Sequence, residues 1–484
     1  MDDRMSTGAT GAARPSDPVG AQAGDLDLLA VRDLLEDAAA RAASYLEGLD
    51  ARPVRPEPDA VAALERLRQP LPDHGRESAE VLALLDELVS PATLRAAGRR
   101  FFGFVVGGAL PVTLAAGTLA AAWDQNSSFH QTTPGPATLE AVALDWLLEL
   151  LGLPAGTGAG FVTGATVANA TALAAARHAV LERVGWDVEA DGLFGAPPIR
   201  VVVGGEMHPT VRKSLGLLGM GKDRVERVPA DDQGRFRADL LPELDGPAIV
   251  ILQAGNVNTG AFDPLAEIVP RAHESGAWVH VDGAFGLWAR VSPELRGLAA
   301  GLEGADSWAT DFHKWLNVPY DSGIALVRDP TALAAAMAVT ASYLPAAGRR
   351  DPSDFTPELS RRARGVEVWA ALARLGRSGV REMVERCCRH ARRFAEGLTA
   401  AGFDVLNEVA LNQVLVSFGT PERTRDVIAA LQDDGTCWCG GTEWQGRTAM
   451  RISVSSWATT EEDVERCLEV MIRLARHADA GTAG

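Results

Sequence analysis

Five cysteines in 484 residues are too few and too unevenly placed to staple this chain. Cys387 and Cys388 are adjacent, Cys437 and Cys439 form a lone C-x-C, and no disulfide framework is legible. That usage fits a reducing cytoplasm. No Cys or His group nearby has zinc-like spacing, so no metal is expected. Basic charge is also short: the formal net charge is −18, and the Lys and Arg residues form no long run. Nucleic acid and anionic membrane surfaces are therefore poor partners. Long apolar runs are nearly absent. The exception, Phe101 to Trp123, carries no charge and is long enough to span a bilayer. Pro111, Thr113, Thr118 and several glycines interrupt it and no second span follows, so it reads as a buried loop and helix of a soluble core.

What is present is globular material, 47% hydrophobic and 23% charged, enough for one large domain and a smaller one. Residues 1–24, rich in Gly, Ala, Ser and Pro, read as a disordered tail rather than a signal peptide. Apolar residues at helical spacing from Leu26 to Leu49 and from Ala79 to Leu94 mark an N-terminal helical segment, 25–100. From about residue 150 short apolar runs alternate with amphipathic stretches. Ile199 to Val203, Ala248 to Leu252, Trp278 to Val281 and Gly323 to Val327 read as buried strands, with helices such as Val167 to Arg183 and Pro264 to Ser275 between them. This alternation predicts an α/β fold over 101–370, a mostly parallel central sheet whose ligands sit beyond the carboxyl ends of its strands. A long helical stretch near Val366 to Leu398 leads into strand, helix, strand, helix, which predicts a small C-terminal α+β domain, 371–484.

Four pieces carry chemistry. WVHVDGAFG puts Asp282 at a strand end, and DSWATDFHKW puts His313 and Lys314 just after another, so both face one crevice. A buried carboxylate needs a partner, and a lysine amine in such a place attacks carbonyls. Pyridoxal 5′-phosphate (PLP) needs this pair, the lysine for a Schiff base and the carboxylate to keep the pyridine nitrogen protonated. GAGFVTGATVANATALAAARHAV reads as a Gly-rich turn entering a helix near Thr166, offering N–H groups and a hydroxyl to a phosphate. His208, in GGEMHPTVRKS, follows a strand and can stack on a planar ring. Taken singly, each has a plainer reading as a cap, a solvent-facing lysine or a loop histidine.

The order of these pieces, with HVDGAFG, DFHKWLNVPYDSG and SRRARGVEVWAALARLG, resembles the group II PLP-dependent decarboxylases, which include aromatic amino-acid and glutamate decarboxylases. The resemblance runs from about Phe101 to Trp457. It implies fold type I, a homodimer with active sites between subunits, and PLP as cofactor. It further implies Lys314 as the Schiff-base lysine, Asp282 as partner of the pyridine nitrogen and His208 as the stacked residue. Ala165 and Thr166 match the phosphate turn, His313 a residue near the phosphate, Ala284 the small residue under the ring, and Asn258 in QAGNVNTGAFDP a polar contact. The segments Phe101 to Pro111 and QNSSFHQTTPG then look like substrate-pocket walls.

The expected reaction is decarboxylation of an L-amino acid to its amine. Many relatives carry a tyrosine on a mobile loop that protonates the carbanion. The matching loop here, roughly PAAGRRDPSDFTPEL, contains Phe355 and no tyrosine, with Tyr343 just before it. That leaves Tyr343, His208 or water as the acid, or an oxidative decarboxylation giving an aldehyde; a lyase or aminotransferase is the other rival on this fold. Arg451 in AMRISV pairs a substrate carboxylate or anchors the C-terminal domain. Phe101, Phe104, Trp123, Phe129 and Trp444 as pocket candidates favour an apolar or aromatic substrate side chain.

Overall fold

The structure, a computed structural model, describes residues 28–339 and 349–481. The expected tail, Tyr343 and the first residues of PAAGRRDPSDFTPEL lie outside the described residues. Two compact units are present: the described part of Met1–Gly48 with Glu57–Thr93, and Leu49–Pro56 with Leu94–Gly484. The first is helical, with helices Leu28–Glu47, Pro58–Ala63 and Ser78–Leu84.

The second unit is built on a seven-stranded sheet: β1 (Gly158–Val162), β2 (Arg200–Gly204), β3 (Glu226–Val228), β4 (Ala248–Gln253), β5 (Trp278–Asp282), β6 (Ser307–Asp311) and β7 (Gly323–Val327). The order is β1-β7-β6-β5-β4-β2-β3. Strands β3, β2, β4, β5 and β6 are parallel, and β7 is antiparallel to both neighbours, β6 and β1. Apart from the edge strand β3, both faces are buried, which is why the central strands read as unbroken apolar runs. Alternate side chains feed two cores: Val201, Val203, Ile249 and Ile251 pack in one with the Ala-rich helix Ala165–Glu182, while Val202, Val250, Leu252 and Val279 enter the other.

Strand β1 replaces the Gly-rich turn expected there, and the turn shrinks to Thr163 and Gly164. Its glycines are a packing requirement, since a Cβ on Gly160 would lie 2.0 Å from the Phe355 carbonyl oxygen. A second sheet is antiparallel throughout, in the order β10-β11-β9-β8: β8 (Asp404–Val405), β9 (Gln413–Ser417), β10 (Gly440–Trp444) and β11 (Arg447–Ser453). Strand β10 escaped the sequence reading because it holds two glycines and little apolar surface; it pairs through a two-residue turn, Gln445 and Gly446, both at positive φ. The expected boundary at 370/371 falls inside helix Gly365–Ala400, which breaks at Gly376.

The helix over the uncharged stretch, Pro111–Trp123, buries only Thr113 and Ala120, and Leu119 and Trp123 are exposed. It was expected to be buried, and among the described residues nothing covers its outer face. Among the described residues no helix is long and apolar enough to cross a membrane.

One ion pair fixes the surroundings of β1. Arg361, fully buried, places Nη2 2.6 Å from Glu140 Oε1 and Nη1 3.2 Å from Oε2, and also donates to the carbonyls of Ser127 and Phe161. It ties the segment QNSSFHQTTPG and the start of helix Gly365–Ala400 to β1. Arg361→Ala leaves the buried Glu140 with only the more distant Arg350, 4.0 Å away, and the Ser127 hydroxyl, and is expected to destabilise the fold by about 3 kcal/mol, read as a lower denaturation midpoint against wild type.

Candidate active site

The carboxyl ends of β1, β2, β4, β5 and β6 and the start of the antiparallel β7 open into one cavity of about 330 Å³. Ala165, Thr166, His208, Asp282, Ala284, His313 and Lys314, from four places in the sequence, all line it. Asn258 is not among the lining residues; its Oδ1 accepts from Thr442 Oγ1 at 3.0 Å and Arg451 Nη1 at 3.4 Å. Nor do Phe101, Phe104, Trp123, Phe129 or Trp444 line it. Phe101 and Phe104 instead stack on Trp438 at 5.1 and 5.4 Å, with Phe104 exposed, and Trp444 packs with Leu415 and Ala449.

Asp282 closes the inner wall. Burial holds its carboxyl above the usual carboxylate range, opposed by the nearby His208 and Lys314, and its Oδ1 accepts the Ala284 N–H at 3.2 Å. A carboxylate so placed calls for a cation. His208 caps the helix Pro209–Leu217, its Nδ1 accepting from the Thr210 N–H at 3.3 Å and lying 2.7 Å from the Thr210 hydroxyl, which leaves the ring proton on Nε2. Burial lowers its pKa, so the ring is neutral. His313 donates from Nδ1 to the Ser322 carbonyl at 2.9 Å and stacks on Tyr320 at 4.3 Å between ring centres. Burial also lowers the His313 pKa.

Lys314 Nζ lies 3.0 Å from Asp311 Oδ2 and 5.8 Å from the centre of the Phe285 ring. Three lysines occur in the chain, and Lys213 and Lys222 are exposed. Asp311 Oδ1 in turn accepts the Ala165 N–H at 2.6 Å. Asp311, Gln253 and Tyr320 are lining residues that the sequence reading passed over. Asp311 had a legible signal, a carboxylate three residues before the lysine at the end of a strand. Phe355 is not in the cavity: it sits in the short helix Pro352–Phe355 beside β1, under the Arg350 guanidinium at 4.7 Å.

The donor set fits PLP. An amine, a buried carboxylate and a helix N-terminus with a hydroxyl line one space of cofactor dimensions.

Residues 63–420 match the family described as pyridoxal-dependent decarboxylase conserved domain. An aromatic-L-amino-acid decarboxylase of Bacillus atrophaeus is 25% identical over 90% of this chain and 92% of its own length. The Drosophila lebanonensis aromatic-L-amino-acid decarboxylase is 31% identical over 69% of this chain and 87% of its own. A crystal structure of Oryza sativa TDC with PLP and tryptamine superposes with a TM-score of 0.86 at 23% identity, covering 94% of this chain and 99% of that one. At that identity the likeness speaks for the fold alone, and it bears out the expected fold type I architecture.

Beneath Asp282, on the same face of β5, the fully buried His280 ties the helix headed by Ala165 to β6. Its Nε2 donates to Asn169 Oδ1 at 2.9 Å, on the helix that Ala165 heads, and its Nδ1 lies 2.8 Å from the Ser307 hydroxyl. Burial pushes its pKa down to about 3 from an ordinary 6.5. The unfolded imidazole therefore takes a proton below pH 6.5 that the folded one refuses until about 3, so stability falls as pH falls through that window. Between pH 7 and 5 the loss from this one group is about 2 kcal/mol. His280→Gln is expected to flatten the fall in thermal midpoint over that range; equal falls in variant and wild type would contradict the assignment.

Proposed function

Since this chain belongs to the family of pyridoxal-dependent decarboxylases, which remove carbon dioxide from an amino acid with PLP as cofactor, we propose that it converts an L-amino acid with an apolar or aromatic side chain to the corresponding amine. The observation that carries the reading is the convergence of Lys314, Asp282 and the head of helix Ala165–Glu182 on one cavity. When bound, the cofactor supplies a protonated ring that accepts the electron pair left by the departing carboxylate. In this reading Lys314 would hold the aldehyde carbon, Asp282 the ring nitrogen, Ala165 and Thr166 the phosphate, and His208 would cover one face of the ring.

The chain's own groups divide the remaining work. Arg451 reaches from β11, loses basicity through burial, and bonds only the neutral Asn258 amide among the described residues, which leaves it available to a substrate carboxylate. Two candidate acids among the described lining groups, besides Lys314, are the His208 Nε2–H and the Tyr320 hydroxyl, whose pKa partial burial and Asp311 push up to about 12, so it stays protonated at working pH. The exposed faces of Phe104, Leu119 and Trp123 support a homodimer, since they leave apolar surface uncovered in one chain. The apolar substrate preference rests on the lining by Val257, Phe285 and Tyr320 and on the aromatic-L-amino-acid decarboxylases among the relatives.

Lys314→Ala is expected to abolish both turnover and the visible absorbance of the bound cofactor, and Asp282→Asn to lower kcat about 100-fold or more. Survival of the absorbance in Lys314→Ala would sink the site assignment. A panel of L-amino acids with mass detection should yield amine and carbon dioxide, with aromatic or apolar members fastest. Aldehyde with hydrogen peroxide and ammonia would instead mark an oxidative decarboxylase.

A further inference from the structure

Asp311 stands where a second anion is unwelcome. Its Oδ1 takes the Ala165 N–H at 2.6 Å, at the head of the helix where the reading above places the cofactor phosphate. The groups facing it are Lys314, 3.0 Å from Oδ2; His313, whose Nε2 is 3.6 Å from Oδ1; and, through space, His208 beyond β2, Asp282 at the end of β5 and Tyr320 before β7. The two histidines are held neutral by burial, Tyr320 is a neutral phenol, and Asp282 brings no positive charge. Among the described residues Lys314 is the sole lysine or arginine lining the cavity, and the reading above commits its nitrogen to the aldehyde carbon. A phosphate dianion at this helix end would therefore meet the Asp311 carboxylate with backbone N–H groups and, among the described lining residues, no free cation to offset the repulsion, since Arg451 does not line the cavity.

We infer that Asp311 makes this a site for the singly protonated phosphate, whose remaining O–H donates a hydrogen bond to the Asp311 carboxylate. The inference rests on the cavity being the cofactor site, and it assigns Asp311 a positioning role. No bond is made or broken; the proton is the phosphate's own, lost in free solution near pH 6. Above that value each further pH unit removes the competent form about tenfold, so the phosphate's share of cofactor binding should weaken about tenfold per unit.

The test compares PLP with pyridoxal, which lacks the phosphate, on the full chain freed of cofactor. Taking the ratio of their dissociation constants cancels the pH dependence of the lysine reaction common to both. Between pH 6.5 and 8.5 the wild-type preference for PLP is expected to shrink about 100-fold. In Asp311→Asn, whose amide can donate to a dianion, the preference should stay flat and exceed that of wild type at pH 8.5. Asp311→Glu keeps a carboxylate and should keep the slope whatever its affinity, an outcome that a merely structural role for Asp311 does not produce. A wild-type preference that is large but independent of pH overturns the inference and leaves the site reading standing. Equal binding of PLP and pyridoxal at pH 6.5 overturns the site reading itself.

Discussion

A sheet buried on both faces has room for charge only at its edges, and that constraint places everything else in this molecule. In the interior of the central strands β4, β5 and β6 the side chains are apolar or, where polar, neutral and bonded, as with His280 between Asn169 and Ser307. Charge appears at the carboxyl ends, at Asp282, Asp311 and the adjoining Lys314. The antiparallel β7 adds a constraint that a fully parallel sheet lacks. Because it returns directly beside β6, the connection between them carries His313, Lys314 and Tyr320 on one short turn-back whose two ends are fixed in the same sheet.

The segments around the cavity are held by buried polar contacts rather than by length of strand. Asp263 accepts from the N–H groups of Phe236 and Gln253 at 2.7 and 2.6 Å, although burial lifts its pKa to about 6, and it thereby fixes the turn after β4. The pair of Glu140 and Arg361 does the same for β1. Both concentrate cost and order in a few groups, so the rim of the cavity depends on atoms remote from its chemistry.

The strands with Val, Ile and Ala runs were legible to within a residue or two, because two-sided burial writes itself as continuous hydrophobicity. Lys314 and Asp282 were legible as a pair, since each follows such a run. Strand β1 was not: its glycines answer to the overlying Phe355 carbonyl, a contact between residues far apart in sequence. For the same reason Phe355 was read as part of a mobile loop when its ring lies in packing beside β1. Asn258 does not line the cavity, because a loop after a strand can aim a side chain at either sheet, and here Thr442 and Arg451 on the second sheet bond it.

Lysine usage gives the buried position of Lys314 one more meaning. Positive charge in this chain is carried almost wholly by arginine, whose guanidinium stays protonated and does not condense with aldehydes. Lys213 and Lys222 are the two other side-chain amines, both out in water. An aldehyde cofactor meeting this protein therefore finds few competing sites, and selectivity for Lys314 is written into the composition of the surface as much as into the shape of the cavity.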